Sequence, residues 1–217
     1  MLVRLFLGFI FFSNLVACAQ ANKQQQSNNS KDMETNYAGK LDTAFFAGGC
    51  FWCTEAIFQR LKGVVKVTSG YIGGNVADPT YEEVCDKTTG HAEAVQILFD
   101  PQIISFDELL EVFFKTHDPT TLNRQGNDAG TQYRSVVFYT NLVQKEKTEY
   151  YIKQLNLEKV YPNPIVTFVV AASPFYTAES YHQNYYNNNS SQGYCRYVIQ
   201  PKLEKFEKIF KDKLKTN

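Results

Sequence analysis

The sequence predicts an α+β domain with a ferredoxin-like split β-α-β arrangement: a mixed sheet, helices packed on it, and a long irregular C-terminal segment. Between residues 41 and 139, the apolar periodicities follow the order β-α-β-β-α-β. The chain has 217 residues, of which 44% are apolar, and this is enough for one domain with a well-buried core. No internal repeat and no second domain are visible in the sequence.

Five elements are predicted before residue 100. Residues 41–47 form a short apolar run before two glycines, which predicts a buried strand. Residues 51–61 carry apolar side chains at mainly helical spacing. Residues 64–71 are β-branched and aromatic and predict a strand. A long loop follows over residues 72–90, and the alternation over residues 93–99 predicts another strand.

A helix begins after Ser105, because Ser105 and Glu108 have the spacing of a capping box. The later elements are predicted in chain order as a polar loop over 118–130, a strand over 133–139, a helix over 141–157 with Asn141 as cap and Gln144 as its partner, a strand over 165–171, a short helix over 180–187, and an amphipathic helix over 201–214 whose apolar face carries Leu203, Phe206, Ile209 and Phe210.

The charge balance does not point to a strongly charged partner. The chain has 22 basic and 22 acidic residues, so electrostatics give no reason to expect nucleic acid or an anionic membrane surface as a partner.

The aromatic fraction of 15% is high. It is consistent with a core rich in Phe or with the walls of a pocket for an apolar ligand.

The N-terminus has the pattern of a targeting segment. Arg4 precedes an apolar run over residues 5–12, and residues 15–18 read Leu-Val-Ala-Cys, which resembles a bacterial lipobox. We therefore predict a signal peptide over residues 1–17 and lipidation of Cys18. An ordinary cleaved signal, with Cys18 incidental, is the alternative. The expected location is the cell envelope, outside the cytoplasm, on the periplasmic or outer face of a bacterial membrane.

A polar segment follows the lipobox. Residues 18–37 are rich in Gln, Asn and Ser and cannot bury a core, so we predict a flexible tether. The folded domain is then expected over residues 38–217.

The five cysteines are Cys18, Cys50, Cys53, Cys85 and Cys195, and an odd number in an exported chain leaves at least one thiol unpaired within it. Cys50 is expected at a helix N-terminus, where unpaired N–H groups and the helix dipole lower the pKa of a thiol. Cys53 lies three residues later, within reach for a disulfide. A lone cysteine is more often a small buried hydrophobe, but this CxxC pair favours redox or nucleophilic chemistry.

Several motifs together resemble the A-type peptide methionine sulfoxide reductases. They are Gly48-Gly49-Cys50-Phe51-Trp52-Cys53, Gly70-Tyr71-Ile72-Gly73-Gly74, Pro79-Thr80-Tyr81, Thr89-Gly90-His91-Ala92-Glu93-Ala94-Val95, His117-Asp118-Pro119, residues 124–135 (RQGNDAGTQYRS), Pro174-Phe175-Tyr176 and Gly193-Tyr194-Cys195. The resemblance spans residues 45–195, nearly all of the predicted domain. It implies thiol-dependent reduction of the S epimer of methionine sulfoxide, peptide-bound and free, and thus repair of oxidised proteins.

The resemblance also assigns roles. Cys50 is implied to attack the sulfoxide sulfur and to end as a sulfenic acid. Glu93 is the implied general acid, which requires burial to raise its pKa; an exposed strand glutamate is the plain alternative. Tyr81 and Tyr133 are implied to donate hydrogen bonds to the sulfoxide oxygen, although core tyrosines are common in this chain.

Further roles concern the pocket and the recycling of the enzyme. Phe51 and Trp52 are implied to wall the pocket for the substrate methyl group, and Asp128 to hold the substrate backbone. Cys53, Cys195 or both would resolve the sulfenic acid, with a relay through a mobile segment at residues 187–193 as one route. Thioredoxin or a similar dithiol is the implied donor, with no cofactor and no metal. The chain is expected to be a monomer, and Cys85 structural or idle.

Three other interpretations remain open from the residues alone. A thioredoxin-like disulfide oxidoreductase would also place a CxxC pair at the start of a helix. A zinc deaminase would need the His91–Glu93 element, but here the CxxC pair precedes it, in the wrong order. A surface lipoprotein without catalytic activity would carry the same N-terminus.

Overall fold

The computed structural model describes residues 40–216. The predicted signal peptide, Cys18 and the tether lie outside this range. Among the described helices, none combines the length and the apolar character needed to cross a membrane.

The elements up to the central strand β6 are β1 (Asp42–Gly48), α1 (Phe51–Phe58), β2 (Val64–Ile72), α2 (Tyr81–Cys85), β3 (Ala92–Phe99), α3 (Phe106–Thr116), the short strands β4 (Arg124–Gln125) and β5 (Asp128–Ala129), a 3₁₀ turn (Thr131–Tyr133) and β6 (Ser135–Tyr139). The later elements are α4 (Leu142–Leu157), β7 (Phe168–Ala171), β8 (Tyr176–Thr177), a 3₁₀ turn (Ser180–His182), α5 (Tyr185–Asn188), a π-helical turn (Cys195–Ile199), α6 (Gln200–Ile209) and a last 3₁₀ turn (Lys211–Lys213).

The sheet confirms the predicted fold class. Its strand order is β7-β6-β1-β3-β2-β8, and the four central strands, β6, β1, β3 and β2, are antiparallel to one another, as in a ferredoxin-like arrangement. Strand β7 runs parallel to β6 and makes the sheet mixed. Phe46 of β1 pairs with Val95 of β3, so the end of β1 lies beside the start of β3. This register brings Cys50, which follows β1, close to Glu93.

The core lies between the sheet and helices α1, α3 and α6. Phe46 from the sheet stacks on Phe113 of α3 with 4.8 Å between ring centroids, and both side chains are completely or almost completely buried. Phe58 of α1 and Phe206 of α6 are buried in the same cluster. Many of the aromatic residues therefore stabilise the core through apolar burial.

Two predicted loops contain regular structure. The loop over residues 72–90 includes α2, whose cap Thr80 and third residue Glu83 form a capping box, a signal that the sequence already contained. The loop over residues 118–130 includes the β4–β5 pair. Tyr133 lies in a 3₁₀ turn before β6, and the prediction that the strand begins there was wrong by two residues.

The predicted helix caps are confirmed. The Ser105 hydroxyl accepts from the Glu108 N–H at 3.2 Å, and the Glu108 carboxylate accepts from the Ser105 N–H at 2.8 Å. The Asn141 side chain accepts from the Gln144 N–H at 3.0 Å. The Gln144 side chain donates to the carbonyl of Thr43 at 2.9 Å, which joins α4 to β1.

The C-terminal helix begins earlier than predicted and is shorter. A π-helical turn precedes α6, and α6 ends at Ile209. Leu203, Phe206 and Phe210 are buried as predicted, but Ile209 is 47% exposed. Its predicted burial was wrong because it lies at the edge of the apolar stripe, where the helix ends.

Candidate active site

A tight glycine turn connects β1 to the site. Gly49 has a φ of 92°, a left-handed conformation that favours glycine, and a Cβ on it would lie 2.6 Å from Cγ of Gln125. The Gln125 side chain is fixed, because it accepts from the Asp118 N–H at 3.1 Å and donates to the Asp118 carbonyl at 3.2 Å. The turn therefore holds Cys50 in one place, at the N-cap of α1.

Cys50 opens into a cavity of about 210 Å³. Its lining residues are Cys50, Phe51, Trp52, Tyr81, Glu93, Asp128, Tyr133 and Tyr194. All the predicted catalytic and substrate-binding residues other than the two resolving cysteines thus meet at one cavity. Tyr194 also lines it, although its motif was singled out only for the neighbouring cysteine.

The Glu93 side chain is buried next to the N-terminus of α1. Its Oε2 accepts from the Phe51 N–H at 3.0 Å and so takes the place of a helix cap. Burial raises its pKa to about 8; the charges of Asp128 and Cys53 also raise it, and the Phe51 hydrogen bond opposes them. The carboxyl group therefore holds a proton at neutral pH, as a general acid requires.

The two thiols of the CxxC pair differ in acidity, in the opposite sense to the prediction. Burial raises the pKa of Cys50, and its hydrogen bond to Cys53 and the nearby Glu93 raise it further. The expectation that the helix N-terminus leaves Cys50 with a low pKa was wrong for the resting state. The Cys50 hydrogen bond, Lys202 and Tyr194 lower the pKa of Cys53 to about 7, against the effect of burial. Cys53 is therefore the thiol of the pair that ionises first.

The two predicted tyrosine donors stay protonated. Burial is the largest cause that raises the pKa of both Tyr81 and Tyr133, so each keeps its O–H at neutral pH. The backbone of Tyr81 is fixed by Glu179, whose Oε1 accepts from the Tyr81 N–H at 2.9 Å. The other oxygen of Glu179 accepts from the Tyr71 hydroxyl at 2.9 Å.

The aromatic wall is fixed from behind by the chain after β8. Trp52 stacks on Tyr185 with 3.6 Å between ring centroids and a 5° interplanar angle. The Trp52 indole N–H donates to His182 Nδ1 at 3.1 Å. The buried Glu55 carboxylate accepts from the backbone N–H groups of Asn184 at 2.8 Å and Tyr185 at 3.2 Å. This network orients Trp52 towards the cavity.

Asp128 reaches the cavity through β5. Its Oδ2 accepts from the Tyr194 hydroxyl at 2.8 Å, and that hydroxyl lies 3.9 Å from Cys53 Sγ. Tyr194 could have been found from its Gly-Tyr-Cys motif. His182 and Tyr185 were missed because no local signal marks them; only the fold brings them to the wall.

The described cysteines are all free thiols. The Cys50 and Cys53 thiols are close enough to change each other's pKa, whereas Cys195 is completely buried in the π-helical turn. Cys85 is half-buried at the end of α2. A bond between Cys50 and Cys53 thus needs little movement, while Cys195 must first leave its packed position.

No metal-binding cluster of three or more His, Cys, Asp or Glu residues occurs within residues 40–216. Both ring nitrogens of His91, the residue that suggested a zinc deaminase, have other partners: the Gly74 N–H at 3.1 Å and the Val76 carbonyl at 2.7 Å.

A thiol pair beside a protonated carboxyl group, in an aromatic cavity, defines a thiol-dependent oxidoreductase. The sequence profile of the family described as "Peptide methionine sulfoxide reductase" matches residues 42–214. The chain therefore belongs to the peptide methionine sulfoxide reductase family.

Named relatives agree with this family. The chain is 54% identical over 193 residues to "Peptide methionine sulfoxide reductase MsrA" of Deinococcus radiodurans, with 87% of this chain and 94% of the relative covered. It is 53% identical over 175 residues to the protein of the same name from Saccharolobus solfataricus, with 81% and 98% covered.

Solved structures share the fold. The reduced form of Mxr1 from Saccharomyces cerevisiae superposes with a TM-score of 0.67 at 33% identity, over 74% of this chain and 90% of that one. Methionine sulfoxide reductase A of Corynebacterium diphtheriae gives a TM-score of 0.63 at 34% identity, over 75% and 80%. The thioredoxin-like alternative is not favoured by any of these similarities.

Proposed function

We propose that this protein reduces the S epimer of methionine sulfoxide, peptide-bound and free, to methionine, and so repairs oxidised proteins. One observation carries the proposal: the Cys50 thiol and the protonated Glu93 carboxyl group line the same aromatic cavity. This pairing supplies a nucleophile for sulfur and a proton for the departing oxygen. The family to which the chain belongs takes its name from this reaction.

The substrate fits the cavity in one orientation. Phe51 and Trp52 contact the methyl group, because they are the apolar wall of the cavity. The sulfoxide oxygen then faces Glu93 and the hydroxyl groups of Tyr81 and Tyr133. These donors stabilise the negative charge that grows on oxygen in the transition state. Asp128 and Tyr194 border the same cavity and hold the substrate backbone.

Reduction of the sulfoxide transfers oxygen to Cys50. Cys50 attacks the sulfoxide sulfur while its proton passes along the hydrogen bond to Cys53, and Glu93 protonates the oxygen. The hydroxyl group then moves from the substrate sulfur to the Cys50 sulfur while the bond between the two sulfur atoms breaks, so that methionine leaves and Cys50 becomes a sulfenic acid. This path requires no free thiolate on Cys50 before the substrate binds, which agrees with its raised pKa.

We propose that Cys53 resolves the sulfenic acid. Cys53 gives its proton to Glu93, which passes it to the oxygen of the sulfenic acid. The Cys53 sulfur attacks the Cys50 sulfur, so that an S–S bond forms, the S–O bond breaks and the oxygen leaves as water. The two protons in that water are those that Cys50 and Glu93 held at the start. Exchange with Cys195 can follow once the π-helical turn opens. Thioredoxin or a thioredoxin-like dithiol then reduces the disulfide, and the reaction uses no other cofactor.

The reaction is tested with the purified protein, dithiothreitol, and the separate epimers of a blocked methionine sulfoxide. We expect turnover of the S epimer alone. Cys50→Ser should abolish turnover. Cys85→Ser is the matched control, because it also replaces a thiol by a hydroxyl group, and it should not abolish turnover. Disulfide exchange without sulfoxide reduction would instead support the thioredoxin-like alternative.

We also propose that the protein is a monomer outside the cytoplasm, anchored by a lipid on Cys18. The sequence of residues 1–37 supports this location. In bacteria expressing the full chain and fed an alkyne-labelled fatty acid, we expect the label on the membrane-bound protein. Cys18→Ala should abolish labelling. An exported but unlabelled wild-type chain would indicate an ordinary cleaved signal.

A further inference from the structure

We propose that Lys202 is a positioning residue that holds the negative charge of the thiol pair on Cys53 and so makes Cys53 the first residue to attack the Cys50 sulfenic acid. The inference rests on the proposed function, because it names a residue that prepares its second step. Lys202 lies in α6, 149 residues after Cys53, and belongs to none of the motifs.

The geometry places a cation against a buried sulfur atom. Lys202 Nζ lies 3.8 Å from Cys53 Sγ, and Cys53 is only 4% exposed. A cation at this distance stabilises a thiolate, and low solvent exposure limits screening of the charge. Lys202 forms no ion pair with a carboxylate within the described range, so its ammonium group is not already neutralised.

The other groups around Cys53 do not provide this charge. The titratable and charged groups that face it are Cys50, Glu93, Asp128, Tyr194, Cys195 and Lys202. In the part of the chain that the structure describes, Lys202 is the only cation in this set. Cys50 and Tyr194 can donate hydrogen bonds to the Cys53 sulfur, but neither carries a positive charge.

The effect on the reaction follows from the acidity of Cys53. The hydrogen bond from Cys50 and the charge of Lys202 lower the pKa of Cys53 to about 7, against the effect of burial. Without the cation, we expect this pKa to rise by about one unit or more. The resolving step needs the thiolate: the Cys53 sulfur loses electrons to the Cys50 sulfur, so no external oxidant or reductant takes part.

The first experiment measures the pKa of Cys53 in the full chain without any sulfoxide. In a Cys50→Ser background, the rate of Cys53 alkylation is followed against pH by mass spectrometry of its peptide. Lys202→Met should shift the midpoint upwards by about one unit or more. Lys202→Arg should restore it, and Lys205→Met, an exposed position one turn along α6, should leave it unchanged. Lys202→Gln is a second neutral variant if the Met variant does not fold.

The second experiment follows one turnover of the enzyme with Cys50 intact. At pH 6, Lys202→Met should slow the formation of the Cys50–Cys53 disulfide by about threefold to tenfold, because the loss of thiolate exceeds the gain in nucleophilicity. The Cys50 sulfenic acid should then accumulate and be trapped by dimedone, while one methionine per chain still forms.

The two experiments separate this inference from the proposed function. An alkylation midpoint that does not move in Lys202→Met or Lys202→Gln would overturn the role of Lys202, even if sulfoxide reduction is normal. A shifted midpoint without methionine formation in the protein with intact cysteines would support the Lys202–Cys53 pairing and reject the proposed reaction.

Discussion

Glu93→Gln separates the chemistry of the buried carboxyl group from its place in the fold. The amide keeps an oxygen that can accept from the Phe51 N–H, a bond of 3.0 Å in the native protein. It removes the proton that we assign to the sulfoxide oxygen. We therefore expect the folded structure to persist while the rate of methionine formation in a single turnover falls about 10²-fold to 10⁴-fold.

The same substitution should change the pH dependence of stability. The pKa of Glu93 is raised from 4.5 to about 8. In wild type, the unfolded chain ionises at the lower pKa and the folded chain only at the higher one, so stability is lost as pH rises from about 4.5 to about 8. The full effect is about 5 kcal/mol, an upper estimate for a buried group. Glu93→Gln has no such loss.

Denaturant unfolding of both proteins from pH 5 to pH 9 measures this difference. We expect Glu93→Gln to gain stability relative to wild type as pH rises, because the other titrating groups are common to both. The single-turnover rate of wild type should fall above about pH 8, as Glu93 loses its proton. A stability difference independent of pH, or a wild-type reduction rate in the variant, would refute this account of Glu93.

Three further substitutions test the scaffold of the site. Gly49→Ala should reduce both stability and turnover, because the φ of Gly49 is 92° and the new Cβ would lie 2.6 Å from Gln125 Cγ. Thermal unfolding and turnover assays check this, and a wild-type Tm would contradict it. Tyr185→Leu should raise the KM for sulfoxide more than it changes kcat, because Trp52 loses its stacking partner at 3.6 Å. Steady-state kinetics and Trp fluorescence measure the effect, and no change in either would argue against it. Ser105→Ala should destabilise the fold by about 1 kcal/mol through loss of the capping box, with unchanged turnover. Denaturant unfolding measures this, and a much larger loss of stability would indicate a different role for Ser105.

Local signals were sufficient for much of the fold. The capping box at Ser105, the cap at Asn141 and the central strands follow from short-range patterns, because hydrogen bonding at helix ends and side-chain alternation involve residues close in sequence. The helix α2 was missed because it has only five residues, too few for a visible periodicity. Ile209 was misplaced because its burial depends on where α6 meets the rest of the chain.

The sequence alone determined the family and singled out eight residues that the structure brings to one cavity or, for Cys53, beside it. Motif spacing carries that information even when the motifs are far apart. Only the tertiary structure decided the acidity of these groups, because desolvation and charge proximity depend on distant chain segments. It raised the pKa of Cys50 where the helix N-terminus alone predicted the reverse, and it placed Lys202 next to Cys53.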